Sequence, residues 1–130
     1  MGDTGTQVFM ESARTSGSFI PLVNAEQIDA LLEKSAQRAI AIFKHSGACG
    51  TSAQAYDELE TFLQGAGSDD VYVVDVLTDR LLSQAIAARF KVRHESPQVL
   101  VIRGGQVRWH GSHFRVTAEN IQKALLAAAD

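Results

Sequence analysis

Apolar and polar positions alternate between two spacings along the chain, and the switches between them divide it into elements. The first periodic segment begins near Ser18. Ser18 to Val23 reads as a short strand, which Pro21 confines to a sheet edge because proline has no N–H for a central ladder. Asn24 and Gln27 have the spacing of a helix capping pair. Ile28, Leu31, Leu32 and Ser35 then recur every three or four residues, which predicts a helix over about 25–37. Ala39-Ile40-Ala41-Ile42-Phe43 is apolar throughout and too short for a helix, the pattern of a strand buried on both faces. Lys44 to Ala48 reads as a polar loop. Beyond it Tyr56, Leu59, Phe62 and Leu63 make one helical stripe that stops at Gly65-Ala66-Gly67.

A second buried-strand run, Val71 to Val76, follows that helix, so strand, helix and strand form a parallel crossover. Thr78 is the expected cap of a helix whose inner face is Leu82, Ala85, Ile86 and Phe90 and which ends near Arg89 to Lys91. Gln98 to Arg103 and Gln106 to His110 flank Gly104-Gly105, whose glycines suit a two-residue hairpin turn. Val116, Thr117 and Ile121 occupy staple, cap and partner positions of a last helix that continues through Ala124, Leu125 and Ala128. The order predicts an α/β sheet of four to five strands with helices on both faces. Residues 1–17, small and polar without periodicity, read as a flexible tail, and 18–130 as one domain.

Composition narrows the classes of function. A chain of 130 residues suits one core rather than two. Its formal charge of -3, with dispersed Lys and Arg, argues against nucleic-acid or membrane-surface binding. No segment has the form of a signal peptide or a membrane span, so a cytoplasmic protein is expected. A single cysteine, Cys49, excludes an intrachain disulfide.

Cys49 falls between a buried strand and an amphipathic helix, where unpaired amides and the helix dipole favour a thiolate. Lys44 and His45 are the nearby candidate cations. A cysteine can also be a small buried hydrophobe, but the Gly, Ser and Thr neighbours of Cys49 favour a working thiol. Ser52, at Cys-x-x-Ser spacing, either donates to that thiolate or serves as a helix-start residue. No second sulfur can resolve an intermediate, so exchange must be monothiol. Ser96-Pro97 precedes a strand where proline is tolerated; trans is the ordinary form of such a bond and cis a possibility. His110 and His113, with Cys49 or His94, make a weak case for a metal, and no metal or bound cofactor is expected. Trp109, alternating with Val107, is expected in the core.

The segments Phe43-Lys44-His45-Ser46 with Cys49, Arg93 to Leu100, and Trp109-His110-Gly111-Ser112-His113 resemble the monothiol bacilliredoxins of the YtxJ type over about residues 18–128. The resemblance implies a thioredoxin-like fold and a thiol–disulfide oxidoreductase that uses bacillithiol, a low-molecular-weight thiol of some bacteria, as co-substrate. It implies that Cys49 removes bacillithiol from S-thiolated client proteins. Pro97 would be a cis-proline facing Cys49, with the Ser96 backbone aligning the substrate and His94, Ser112 and His113 lining the same edge. The family's usual Thr-Cys-Pro-Ile-Ser is here Ala48-Cys49-Gly50-Thr51-Ser52, and the loss of proline leaves the helix start less pre-organised. Two other readings stand beside this one: a non-catalytic thioredoxin-like module that senses redox state or binds partners, and a glutathione-linked monothiol exchanger.

Overall fold

A computed structural model describes residues 17–47, 50–65 and 67–129. Cys49 and Ala48 lie outside the described residues, as do the predicted tail up to residue 16 and Ala66. Gly17 is already held, its N–H shared between the Leu63 carbonyl and the Ser68 hydroxyl, each 3.0 Å away.

Five strands form one mixed sheet: β1 (Phe19–Pro21), β2 (Ile40–His45), β3 (Val71–Asp75), β4 (Gln98–Arg103) and β5 (Gln106–Ser112), in the order β1-β3-β2-β4-β5. β1, β3 and β2 are parallel, and β4 and β5 add antiparallel to β2. Four helices cover it: α1 (Ala25–Ser35), α2 (Gly50–Gln64), α3 (Arg80–Phe90) and α4 (Ala118–Ala127). β1 takes the edge that Pro21 demands. Because strand side chains alternate between faces, Ala41, Phe43, Val99 and Val101 pack beneath α2 and α4, while Ile40, Ile42, Leu100 and Ile102 pack beneath α1 and α3.

Local chemistry explains most element ends. Asn24 and Gln27 form a reciprocal capping box on α1, and Thr117 caps α4 by accepting from the Asn120 N–H. Gly104 and Gly105, at φ 64° and 75°, make the hairpin turn. Ser35 docks that turn: its carbonyl accepts the Gly104 N–H at 2.7 Å and its hydroxyl the Gly105 N–H at 3.0 Å.

Four expectations need correction. Lys44 and His45 are not loop residues; they complete β2, because pairing with Val74 and Asp75 of β3 carries the ladder past the apolar run. Thr78 does not cap α3. That helix starts after Asp79, which makes no side-chain cap bond, and Asp75 Oδ1 instead accepts the N–H groups of Leu77 and Thr78. On α3 the small buried residue is Ser83, while Ala85 is exposed. Trp109 is half-buried rather than core: β5 is an edge strand that continues to Ser112, and Gly111 leaves room for the indole to lie along it.

Candidate functional site

The polar residues of the sequence motifs gather at one end of the sheet, where β2 ends, β4 begins and β5 ends. Register places Lys44, Gln98 and Ser112 side by side, since Lys44 pairs with Gln98 and Gln98 with Ser112. Paired residues share a face, so these three form a polar row at the end of the α1/α3 face.

Lys44 is fully buried, and its Nζ lies 3.3 Å from His94 Nδ1. A lysine ammonium can only donate, so His94 accepts through Nδ1 and carries its proton on Nε2. Burial lowers the Lys44 pKa to about 8. Desolvation, and then the Lys44 charge, hold His94 below its ordinary range, against an opposing pull from Glu95. At neutral pH the pair is therefore an ammonium donating to a neutral imidazole.

His45 points the other way. Its ring lies 5.1 Å from that of Tyr56 and 5.4 Å from that of Phe43, on the face covered by α2. Its Nδ1 is buried with no partner among the described residues. Desolvation lowers its pKa, and the Asp75 carboxylate only partly offsets this, so the ring is neutral at pH 7. The two residues read as a pair of cations are thus separated by the sheet, and one of them is uncharged. Strand alternation imposes that separation once both belong to β2.

Ser52, fully buried in the first turn of α2, accepts the Ser46 N–H at 3.0 Å and ties the end of β2 to the helix start. A Cβ at Gly50 would meet nothing within 4 Å, so no crowding demands glycine there. The Ser96–Pro97 peptide is cis, and the Pro97 carbonyl accepts the His113 N–H at 3.0 Å. Pro97 is buried, and the Ser96 hydroxyl is buried without a partner among the described residues. His113, exposed and at φ 55°, has Nδ1 3.8 Å from Glu95 Oε1. A hydrogen bond from Ser112 is the main cause of a depressed Glu95 pKa, with His113 and Arg93 adding to it.

The predicted residues therefore meet as Lys44 with His94, Pro97 with His113, and Ser112 beside Glu95. Ser52 makes its contact with Ser46. Glu95 and Gln98 lie in the segment that carries the family resemblance, but the sequence reading gave them no role at the site. Gln98 is 1% exposed and donates through Nε2 to the Arg93 carbonyl at 3.0 Å and to Ser112 Oγ at 3.5 Å. Its signal was an amide heading an otherwise apolar strand run. Among the described residues no group of three or more His, Cys, Asp or Glu is placed to hold a metal ion, and no helix is long and apolar enough to cross a membrane.

The family model for monothiol bacilliredoxin BrxC matches residues 20–121. The chain belongs to the monothiol bacilliredoxin family. A solved structure described as an oxidoreductase with a thioredoxin fold is 31% identical to this bacilliredoxin, with a TM-score of 0.73 over 82% of this chain and 92% of that one. A mutant thioredoxin from Halobacterium salinarum superposes with a TM-score of 0.68 at 12% identity, over 87% of this chain and 92% of its own. Trypanosoma brucei brucei thioredoxin does so with 0.68 at 13%, over 86% and 91%. The latter two establish the thioredoxin fold of this bacilliredoxin, which its sheet order and helix placement share.

Proposed function

We propose that the chain is a cytosolic monothiol thiol–disulfide oxidoreductase that removes bacillithiol from protein mixed disulfides through Cys49. The observation that carries this reading is the monothiol bacilliredoxin match over residues 20–121, which spans the chain's single cysteine. Supporting it, Gly50 opens a helix of 15 residues, so Cys49 directly precedes in sequence the positive end of a helix dipole.

The Cys49 thiolate attacks the bacillithiol sulfur of the mixed disulfide. A new S–S bond joins Cys49 to bacillithiol, the old S–S bond breaks, and the client cysteine leaves as a thiolate. A second bacillithiol thiolate then attacks the bacillithiol sulfur of that adduct, frees Cys49 as a thiolate and departs as the symmetrical disulfide. The second thiol is the reductant in this scheme. In it the extended client chain lies against the Ser96 backbone at the head of β4, making strand-like hydrogen bonds. His94, Ser112 and His113 border that edge. The buried Lys44 ammonium contributes positive charge at the end of β2 at neutral pH.

The test is adduct transfer followed by intact mass, with a bacillithiolated client incubated with the protein or with Cys49→Ala. The protein gains one bacillithiol and the variant none. Equal de-thiolation by both would sink the assignment. Glutathionylated client in parallel identifies the preferred thiol. A Cys49 alkylation profile with its midpoint below the unperturbed ~8.5 is expected for the enzyme, whereas slow alkylation at neutral pH is the mark of a binding module.

A further inference from the structure

Between the last turns of α2 and the length of α4 lies a groove of about 440 Å³. Phe62 and Leu125 are buried beneath it, and Leu126, 67% exposed, borders it. One exposed leucine is ordinary on a surface, but a leucine beside a groove over a buried phenyl ring offers a seat to an apolar side chain. Ser68 and Asp69, just beyond α2, also line the groove. The same two residues hold the chain where it enters the fold. Gly17 donates its N–H to the Ser68 hydroxyl, and a Cβ on Gly17 would collide with the Asp69 carbonyl. Residues 1–16 therefore join the fold beside the groove.

Those residues precede the family match, which begins at residue 20. Val8-Phe9-Met10 is their one run of large apolar side chains, and Arg14 their one Lys or Arg. Phe9 is eight residues from Gly17, a reach of up to about 26 Å in extended chain. The ten residues of α4 span about 15 Å, so the tether brings Phe9 to any part of the groove.

We infer that the segment before Gly17 docks in this groove of its own chain, with Phe9 seated against Leu126 over Phe62 and Leu125. Two arguments favour this occupant over a separate protein. A short tether holds Phe9 at an effective concentration in roughly the mM range, without any partner. Charge agrees as well: Asp69 and Glu119 border the groove, and Arg14 lies three residues before Gly17, whose backbone packs on Asp69. No thiol takes part, so the inference stands apart from the proposed function. The stretch read from sequence as a flexible tail thus carries an apolar anchor.

The test uses the full chain in a Cys49→Ser background, so that one introduced cysteine reports alone. Gln122→Cys, at an exposed position on the groove, supplies a thiol that the docked segment covers. Adding Phe9→Ser should speed its alkylation by about threefold or more, as the covered fraction falls. Leu81→Cys, at an 82% exposed position on the opposite face of the sheet, should react at one rate with or without Phe9→Ser. When Leu126→Gln has already removed the apolar border, Phe9→Ser should lose most of its effect, because the two changes disrupt one contact. An unchanged Gln122→Cys rate would overturn the inference and leave the groove to a separate partner. Equal acceleration at Leu81→Cys, or full acceleration in the Leu126→Gln background, would overturn it too. Protection should survive dilution of the protein by about a hundredfold, since a tethered contact is independent of concentration. Protection lost on dilution would assign the groove to a second copy of the chain and overturn the intramolecular assignment.

Discussion

Replacing Lys44 by methionine should make the protein more stable. Lys44 has no exposed surface, and among the described residues its neighbour within hydrogen-bond reach is a neutral imidazole rather than a carboxylate. A pKa that falls from 10.5 to about 8 on folding corresponds to a penalty of about 3 kcal/mol for carrying the charge at neutral pH. The sign follows from proton counts. Below pH 8 both states hold the proton and the penalty is present in full. Between about 8 and 10.5 the unfolded chain holds a proton that the folded one has released, so raising the pH favours folding.

Methionine fills a similar volume and strands no charge, because His94 is exposed and can turn to water. Lys44→Met should therefore gain about 1–3 kcal/mol at pH 7. Urea unfolding of both proteins, in a Cys49→Ser background that removes thiol titration, measures the difference at pH 7, 8, 9 and 10. The variant's advantage should shrink steadily above pH 8 with unchanged m-values. A variant less stable at pH 7, with a difference that stays constant to pH 10, would refute this account of Lys44.

Two further substitutions test the packing that frames the site. A Cβ on Gly111 would come within 2.5 Å of the Trp109 ring, so Gly111→Ala should cost about 1–3 kcal/mol and red-shift the emission of the sole tryptophan; unchanged emission and stability would contradict the packing described. Ser35→Ala removes the acceptor of the Gly105 N–H and should cost about 1–3 kcal/mol, with faster exchange of that amide; a neutral variant with unchanged exchange would show that the α1-to-hairpin tie is not sustained in solution.

The fold was legible where the signal is local. The capping pair Asn24/Gln27, the Gly104-Gly105 turn, the staple before Thr117 and the two apolar strand runs each depend on residues within a few positions of one another. The site was less so, because its partners are distant in sequence. Lys44 resembles the loop residues after it until β3 and β4 extend the ladder across it, and only then does its face become fixed. The buried state of Gln98 depends on Arg93 and Ser112, and that of Lys44 on His94, fifty residues away. Thr78 is as good a cap by type as Thr117. It failed because Asp75, at the end of β3, accepts its N–H and places the helix start one residue later.

The bond from the Ser46 N–H to Ser52 Oγ bears on how this protein could become a dithiol enzyme. In the genetic code, serine and cysteine are neighbours, and Ser52→Cys would create a Cys-x-x-Cys motif at once. The hydroxyl at that position, however, already fastens β2 to α2. A larger sulfur, a weaker acceptor, would exchange that fastening for a resolving thiol. The monothiol state is thus tied to how the loop is anchored, and a route to two sulfurs runs through a second change that holds Ser46 by other means.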